Sequence, residues 1–414
     1  MENPILALIP SGYKGPTSTD PQVYSVLPND GSGDFTFDRA NGLATRFNKE
    51  ELIEEVANDT PRLDYTNSSC PSLLLESEST NLQVYSQEFD NSAWLKIQST
   101  ITANNTTSPS GEFNADKLQR TATNSSFVLD SISKASVAKT YTTSIFVRQG
   151  KGNFLAIRAQ GQYPSRVDLR FNFSTKQITQ FLAVSNFTAL SSSVKEFKNG
   201  WFRISMTYTT DAYTQVSNYF STRSSDGNVD SSDINIEANC FLWGCQVEEN
   251  SFETSYIPTT VTQTRFTDIC KEGGNATLFD ITEGSFFVDV LPFNRGLVST
   301  ISLSNNSTIE RILIQFQSNG TKVRLFSSGG VSNYQTITFN QRNKILVTFK
   351  LNDYKLYING AFIVRDISAF VPTGLDRVNF SNSTANSDFF QGEVHDTRVY
   401  DKVLTEAEAI KLTT

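Results

Sequence analysis

Histidine is almost missing from this chain: His395 is the only one among 414 residues. A Ser-His or Cys-His nucleophile pair would have to use that single ring. It stands in the alternating run Val394-His395-Asp396-Thr397-Arg398-Val399 and reads as a strand residue, not a base. Cysteine is scarce as well. Cys70, Cys240, Cys245 and Cys270 are too few for a disulfide scaffold of this size. Cys240 and Cys245 are also too far apart for a zinc knuckle, so free, buried thiols and no metal site are expected.

Charge is sparse too. Charged residues make up 19% of the chain, and 35 basic against 43 acidic residues leave a formal charge of -8 with the acidic residues scattered rather than gathered into tails, which argues against nucleic acid as a partner. No apolar run approaches the roughly 18 residues of a membrane span. The first ten residues show neither a basic start nor a long apolar stretch, so neither a signal peptide nor membrane insertion is expected. There is no Walker A run, no Gly-x-Gly-x-x-Gly after a strand and no EF-hand loop, and no cofactor is expected. Asp226-Gly227-Asn228-Val229-Asp230-Ser231-Ser232-Asp233 offers oxygen ligands that calcium could use, but reads first as a solvated loop. Glu248-Glu249 is the nearest approach to a paired-carboxylate motif. Neighbours on a strand point to opposite faces, so no catalytic residue is assigned.

Bulky apolar and strand-forming residues are plentiful. The 31 Phe and 14 Tyr accompany abundant Ser, Thr and Asn, a mixture suited to short strands with polar outer faces. The length exceeds the roughly 100 to 200 residues of one domain, so more than one core is expected.

Residues 1–80 are irregular and punctuated by proline, with β elements at Phe35-Thr36-Phe37 and at Leu52 to Val56 and a turn cluster at Asn29 to Asp34. Their small apolar mass suggests packing on other copies or on a larger assembly. From residue 81 to about 264, strand signals recur at short intervals: Thr142 to Arg148, Phe154 to Arg158, Val167 to Phe173, Trp201 to Tyr208 and Cys240 to Val247. In Val167-Asp168-Leu169-Arg170-Phe171-Asn172-Phe173 every second residue is apolar, the period of a half-buried strand. Lys198-Asn199-Gly200 reads as a tight turn into a strand with Trp201 and Phe202 on opposite faces. From 265 to 414 a second series runs through Ser285 to Leu291, Arg311 to Phe316, Lys344 to Leu351 and Gly392 to Tyr400. Hairpin turns are read at Leu351 to Tyr354 and at Asn359-Gly360, and a capped helix at Leu404 to Leu412. The fold class is therefore all-β: two β-sandwiches preceded by an irregular, β-rich N-terminal segment.

The C-terminal run Lys355-Leu356-Tyr357-Ile358-Asn359-Gly360, followed by Phe390 to Tyr400 and Leu404-Thr405-Glu406-Ala407-Glu408, resembles the laminin-G-like, concanavalin-A-type lectin domain of bacterial and phage surface proteins. The middle resembles a phage-associated carbohydrate-binding-module jelly roll. Ser86 to Trp94, Asn199-Gly200-Trp201-Phe202-Arg203 and Trp243-Gly244-Cys245-Gln246-Val247-Glu248 carry that likeness, which closes with Phe252 to Thr260. Upstream, Gly31 to Thr36 and Thr60 to Tyr65 are similar to the leading segment of phage structural proteins of this type.

These resemblances imply a non-enzymatic head or tail fibre or capsid decoration protein of a virion, made in the host cytoplasm. Residues 1–80 would then attach to other virion proteins, the chain would form a homo-oligomer, a trimer as in many such fibres, and the sandwiches would hold host-surface polysaccharide. A structural spacer without glycan binding, and a secreted bacterial adhesin or accessory module of a polysaccharide-degrading enzyme, are the alternatives. Sugar rings stack on exposed aromatic residues, and Tyr163, Tyr213 and Tyr219 are the candidate carbohydrate-binding residues by their loop or strand-edge settings. Trp94, Trp201 and Trp243 are expected to anchor cores.

Overall fold

Strand-forming alternation builds two units, Gly42–Glu55 with Ser79–Arg265, and Met1–Asn41 with Val56–Glu78 and Phe266–Thr414. The structure is a computed structural model and describes residues 3–10, 22–23, 34–40, 43–66, 69–319, 322–327 and 332–414. The turn cluster read at residues 29–33 lies outside the described residues.

In the first, middle unit, six strands form one antiparallel sheet: β1 (Leu95–Ile97), β2 (Phe127–Ser133), β3 (Phe154–Gln160), β4 (Arg166–Asn172), β5 (Gln177–Val184) and β6 (Gln215–Arg223), in spatial order β5-β4-β3-β6-β2-β1. A second six-stranded sheet centres on Asn239–Glu248, Thr140–Gln149 and Trp201–Thr209. The period-two pattern does what it predicts. Val167, Leu169 and Phe171 of β4 and Leu155, Ile157 and Ala159 of β3 meet Ile145, Val147, Ile204 and Leu242 of the other sheet in one core. Each fully buried aliphatic or aromatic side chain there stabilises by about 1.5–3 kcal/mol.

Asn199 and Gly200, with φ of 58° and 74°, make the tight turn that aims the next two residues apart. Phe202 enters the main core. Trp201 turns to a second cluster on the outer face of the second sheet, with Phe146, Trp243, Tyr256, Ile53 and Ala115. All three tryptophans are buried, as expected of core anchors.

The second unit pairs Gly284–Pro292 with Asn343–Lys350 on one side and Gly392–Tyr400 on the other, within an eight-stranded sheet. A five-stranded sheet centred on Arg311–Phe316 faces the same core. Both hairpins form, and the first turn is tighter than the Leu351 to Tyr354 stretch, because Asp353 and Tyr354 already pair in the next strand. Leu351-Asn352 and Asn359-Gly360 are two-residue turns, with Asn352, Asn359 and Gly360 at positive φ. The helix Glu406–Thr413 starts at the Thr405 capping box with Glu408 and lays Ala409 and Leu412 on Phe287, Leu346 and Tyr357.

The described segments before residue 80 contribute strands and core residues to the two units. Leu6–Leu8 and Ser72–Leu75 both pair with Gly392–Tyr400, and Phe35–Asp38 pairs with Ile269–Lys271. Leu6, Leu8, Phe35, Phe37, Leu73 and Leu75 sit in the second unit's core. Ile53, from the hairpin of Ala44–Phe47 and Ile53–Val56, serves the middle unit instead. Apolar residues too few for a core of their own thus complete sheets of this chain. A fully buried ion network ties the same segments together. Arg39 meets Asp268 at 3.0 Å, Arg62 meets Glu76 at 3.0 Å and also Asp268, and Arg295 meets Glu76 at 3.1 Å. Burial works against the Arg62 charge, yet Asp268 and Glu76 raise its pKa. The thiols follow expectation with one correction: Cys240, Cys245 and Cys270 are buried, whereas Cys70 is exposed.

Candidate functional site

The outer face of the middle unit's second sheet is occupied by its own chain. Arg203 donates to the Thr254 carbonyl at 2.8 Å, and Gln246 accepts from the Ile257 amide at 2.7 Å, laying residues 254–257 across Phe146, Trp201 and Trp243. The β1–β6 sheet presents its outward residues differently. Because its inward positions are fixed by the core, the alternate positions form rows across the sheet. One row in register is Leu182 of β5, Asp168 of β4, Arg158 of β3, Tyr219 of β6, Leu129 of β2 and Leu95 of β1. The next row carries Arg166, Gln160, Ser217 and Ser131.

This face combines rings, apolar surface and fixed polar groups. Tyr219 meets Phe127 edge-on at 5.1 Å, and Leu182 and Leu95 are more than half exposed at the ends of the row. Asp168, almost fully buried, accepts from Arg158 Nε at 2.6 Å and from Arg166 Nε at 2.9 Å. The rest of the Arg158 fork is bidentate to Asp230 at 3.1 Å for each bond, and Arg170 meets Asp226 at 3.2 Å. Burial pushes the Asp230 pKa up, but Arg158 outweighs it and holds the carboxyl below its usual range, which does not suit a general acid.

Asp226 and Asp230 belong to the loop considered for calcium. Its carbonyl oxygens point at a cation of the protein's own: Arg223 donates to the carbonyls of Ser225, Asn228, Ser231 and Ser232 at 2.8–3.2 Å. Asp233 completes the loop by accepting from the amides of Ser224 at 2.7 Å and Asn235 at 3.1 Å. Among the described residues no group of three or more His, Cys, Asp or Glu is placed to hold a metal.

Two of the three candidate tyrosines are brought to the same end of the unit. Asp211 accepts from the Gln162 amide at 3.0 Å and from the Tyr213 amide at 3.1 Å, which joins the turn between β3 and β4 to the turn before β6. A Cβ at Gly161 would lie 2.4 Å from Asp211 Oδ1, so only glycine permits this approach. Tyr163 is 76% exposed on the first turn and Tyr213 is 42% exposed on the second. Tyr219 lies apart from them, half-buried on the sheet face. The arginines and Asp168 were missed by the sequence reading. Their signal was the polar half of the alternation at Arg166, Asp168 and Arg170, of which only the apolar half was used.

Glu248 and Glu249 take different partners. Glu248 accepts from Ser79 and Thr254, whereas Glu249 pairs with Lys139. His395, largely buried, is 3.5 Å from Glu393 on the same strand.

Comparison with known proteins finds a family model that matches part of the chain. Residues 286–409 match the model of the concanavalin A-like lectin/glucanases superfamily. That match places a lectin-like domain where the sequence resemblance implied one. No curated protein matches the chain. Among solved structures it is similar to the CBM40 module of the Ruminococcus gnavus IT-sialidase bound to α2,3-sialyllactose, with 19% identity over 34% of this chain and 86% of that one and a TM-score of 0.29. It is also similar to domain 4 of AbnA, a GH43 extracellular arabinanase from Geobacillus stearothermophilus, in complex with arabinotriose (16% identity, 40% and 84% covered, TM-score 0.31). A third is the galectin LEC-6 of Caenorhabditis elegans (13% identity, 29% and 83% covered, TM-score 0.22).

Proposed function

We propose that this chain is a non-enzymatic adhesion protein of a bacteriophage virion, a head or tail fibre component that holds host-surface polysaccharide. The observation that carries the adhesive reading is the outward row of the β1–β6 sheet. There a Tyr219–Phe127 ring pair lies beside arginines held by Asp168, the hydrogen-bonded Ser131 and Ser217, and Gln160 of the neighbouring row. Rings supply stacking surface for sugar faces, and preordered polar groups fix hydroxyls at little entropic cost. The lectin-like domain at 286–409 supports the same reading, and the ordering of the sequence segments supports the virion setting. Weak single contacts would gain strength from many copies on one particle.

The test is a glycan array probed with the full chain and with Tyr219→Ala. Binding of at least one polysaccharide by the wild type is expected, weakened about tenfold or more by the loss of one stacking ring. A folded wild type that binds nothing across the array would leave the spacer reading in its place. Release of sugar from any arrayed polysaccharide would overturn the non-enzymatic part. Labelling of intact particles with antibody against the chain tests the virion part independently.

A further inference from the structure

The sheet face proposed above as adhesive contains a cationic patch whose charge is hidden by a loop. Arg158, Arg166 and Arg170 project from adjacent strands around one buried carboxylate, Asp168. Asp168 takes the Nε of Arg158 and of Arg166, so those two guanidiniums are fixed before any ligand arrives. The outward ends of Arg158 and Arg170 are met by Asp230 and Asp226, two carboxylates carried on the loop between β6 and the strand Asn239–Glu248. Their side chains are 53% and 41% exposed, against 6% for Arg158 and 4% for Asp168. The loop does not need these pairs to keep its shape, because Arg223 and Asp233 organise it from within.

We infer that this patch is a binding site for an acidic glycan, and that Asp226 and Asp230 are internal stand-ins for the carboxylate or sulfate groups of that ligand. The inference rests on the adhesive reading of the same face and names its ligand class. Three guanidiniums and Asp168 carry two net positive charges once the loop carboxylates leave. A bidentate Arg158 fork matches a carboxylate or a sulfate equally well. Asp226 and Asp230, about half exposed, exchange at small cost, since a carboxylate open to water gains little from its ion pair over its hydrated state. Tyr219, opposite Arg158, would stack on the sugar ring that bears the acid.

The experiment measures binding of the full chain to polygalacturonate, dextran sulfate and neutral dextran by calorimetry at low and high salt. It compares the wild type, the double variant Asp226→Asn with Asp230→Asn, and a control, Glu88→Gln with Glu112→Gln, that removes two exposed charges elsewhere. The double variant is expected to bind an acidic polymer at least tenfold more tightly than both others, with the gain lost at high salt and no change on neutral dextran. Polygalacturonate or dextran sulfate as the preferred polymer assigns the anion as carboxylate or sulfate. Equal affinity of wild type and double variant, with the double variant's thermal unfolding unchanged, overturns the inference, as does an equal gain in the control. Either result leaves Tyr219-dependent binding of a neutral glycan intact, so the two readings fail separately.

Discussion

Each unit contains a network in which arginines share carboxylates, and the two networks differ in one variable, access to water. In the second unit Arg39, Arg62, Glu76 and Asp268 are sealed, with Arg62 and Asp268 wholly inaccessible. In the middle unit Arg158 and Asp168 are sealed, but Asp230, which shares the same guanidinium, is half in water. The sealed network joins chain segments far apart in sequence, since Arg39 and Arg62 come from the first 80 residues and Asp268 follows the middle unit. The open one leaves charges that another molecule can reach. Identical chemistry therefore locks in one place and offers a surface in the other, and burial decides which.

The largest effect that tests this contrast is expected at Asp268. Asp268→Asn leaves two buried guanidiniums without their shared counter-ion, and removing one partner from a sealed pair costs about 3–5 kcal/mol. The second unit should lose that much stability in urea unfolding, or fail to fold, while the transition of the middle unit keeps its midpoint. A loss under about 1 kcal/mol would mean that the sealed network is not a lock.

Arg223→Ala probes the middle unit's own sealed cation. Four carbonyls lose their donor and the loop loses its centre, an expected cost of about 2–3 kcal/mol in the same assay. Addition of calcium should not restore the variant if the guanidinium geometry is specific, and restoration would reopen the loop as a metal site.

Much of this architecture is legible in the residues, and the limits of that legibility are physical. The strand at Arg166–Asn172, the turn at Asn359-Gly360 and the capping box at Thr405 and Glu408 are local. Side-chain period, positive φ and helix-end hydrogen bonding leave signatures within a few residues. The partners of Leu6–Leu8 are not local, because they lie on Gly392–Tyr400, and nothing in an apolar triplet names the strand it will join. The candidate face is half legible. Arg166, Asp168 and Arg170 share a face by alternation alone, but only the register that sets Arg158 against Asp168, and the loop that brings Asp230 over it, make a site of them. Tyr163, Tyr213 and Tyr219 were singled out by composition of loops and strand edges, which cannot tell that Asp211 unites the first two and leaves the third apart.

A smaller effect separates burial from charge pairing within the middle unit. Asp116 is buried with amides of Phe89 and Asn104 as its donors, and burial, the dominant influence, pushes its pKa up to about 6. Between its unfolded value near 3.9 and about 6, the folded chain holds this proton and the unfolded chain does not. Its contribution to stability is therefore fully present below about pH 4 and is lost as pH rises through about 6. Asp230 and Asp233, held low, contribute in the opposite sense, so the difference between wild type and Asp116→Asn isolates the effect. Relative to the variant, the wild type should be more stable at pH 4.5 than at pH 7.5. A difference that does not change with pH would show that Asp116 titrates as an ordinary carboxyl.

The smallest effect is expected at Asp230, the open counterpart of Asp268. Asp230→Asn removes a carboxylate from Arg158, as Asp268→Asn removes one from Arg62, but Asp168 still neutralises Arg158 and water reaches the vacated end. Asparagine can also still accept one of the two hydrogen bonds through its side-chain oxygen. The loss in stability should stay within about 1 kcal/mol, the range of exposed pairs, and should shrink further in high salt. Because the two substitutions are chemically alike, the several-fold gap between their costs measures what burial adds to an arginine–aspartate pair. If Asp230→Asn instead costs as much as Asp268→Asn, the loop is held by its ion pairs, its carboxylates are structural, and the distinction between a network that locks and one that offers a surface is lost.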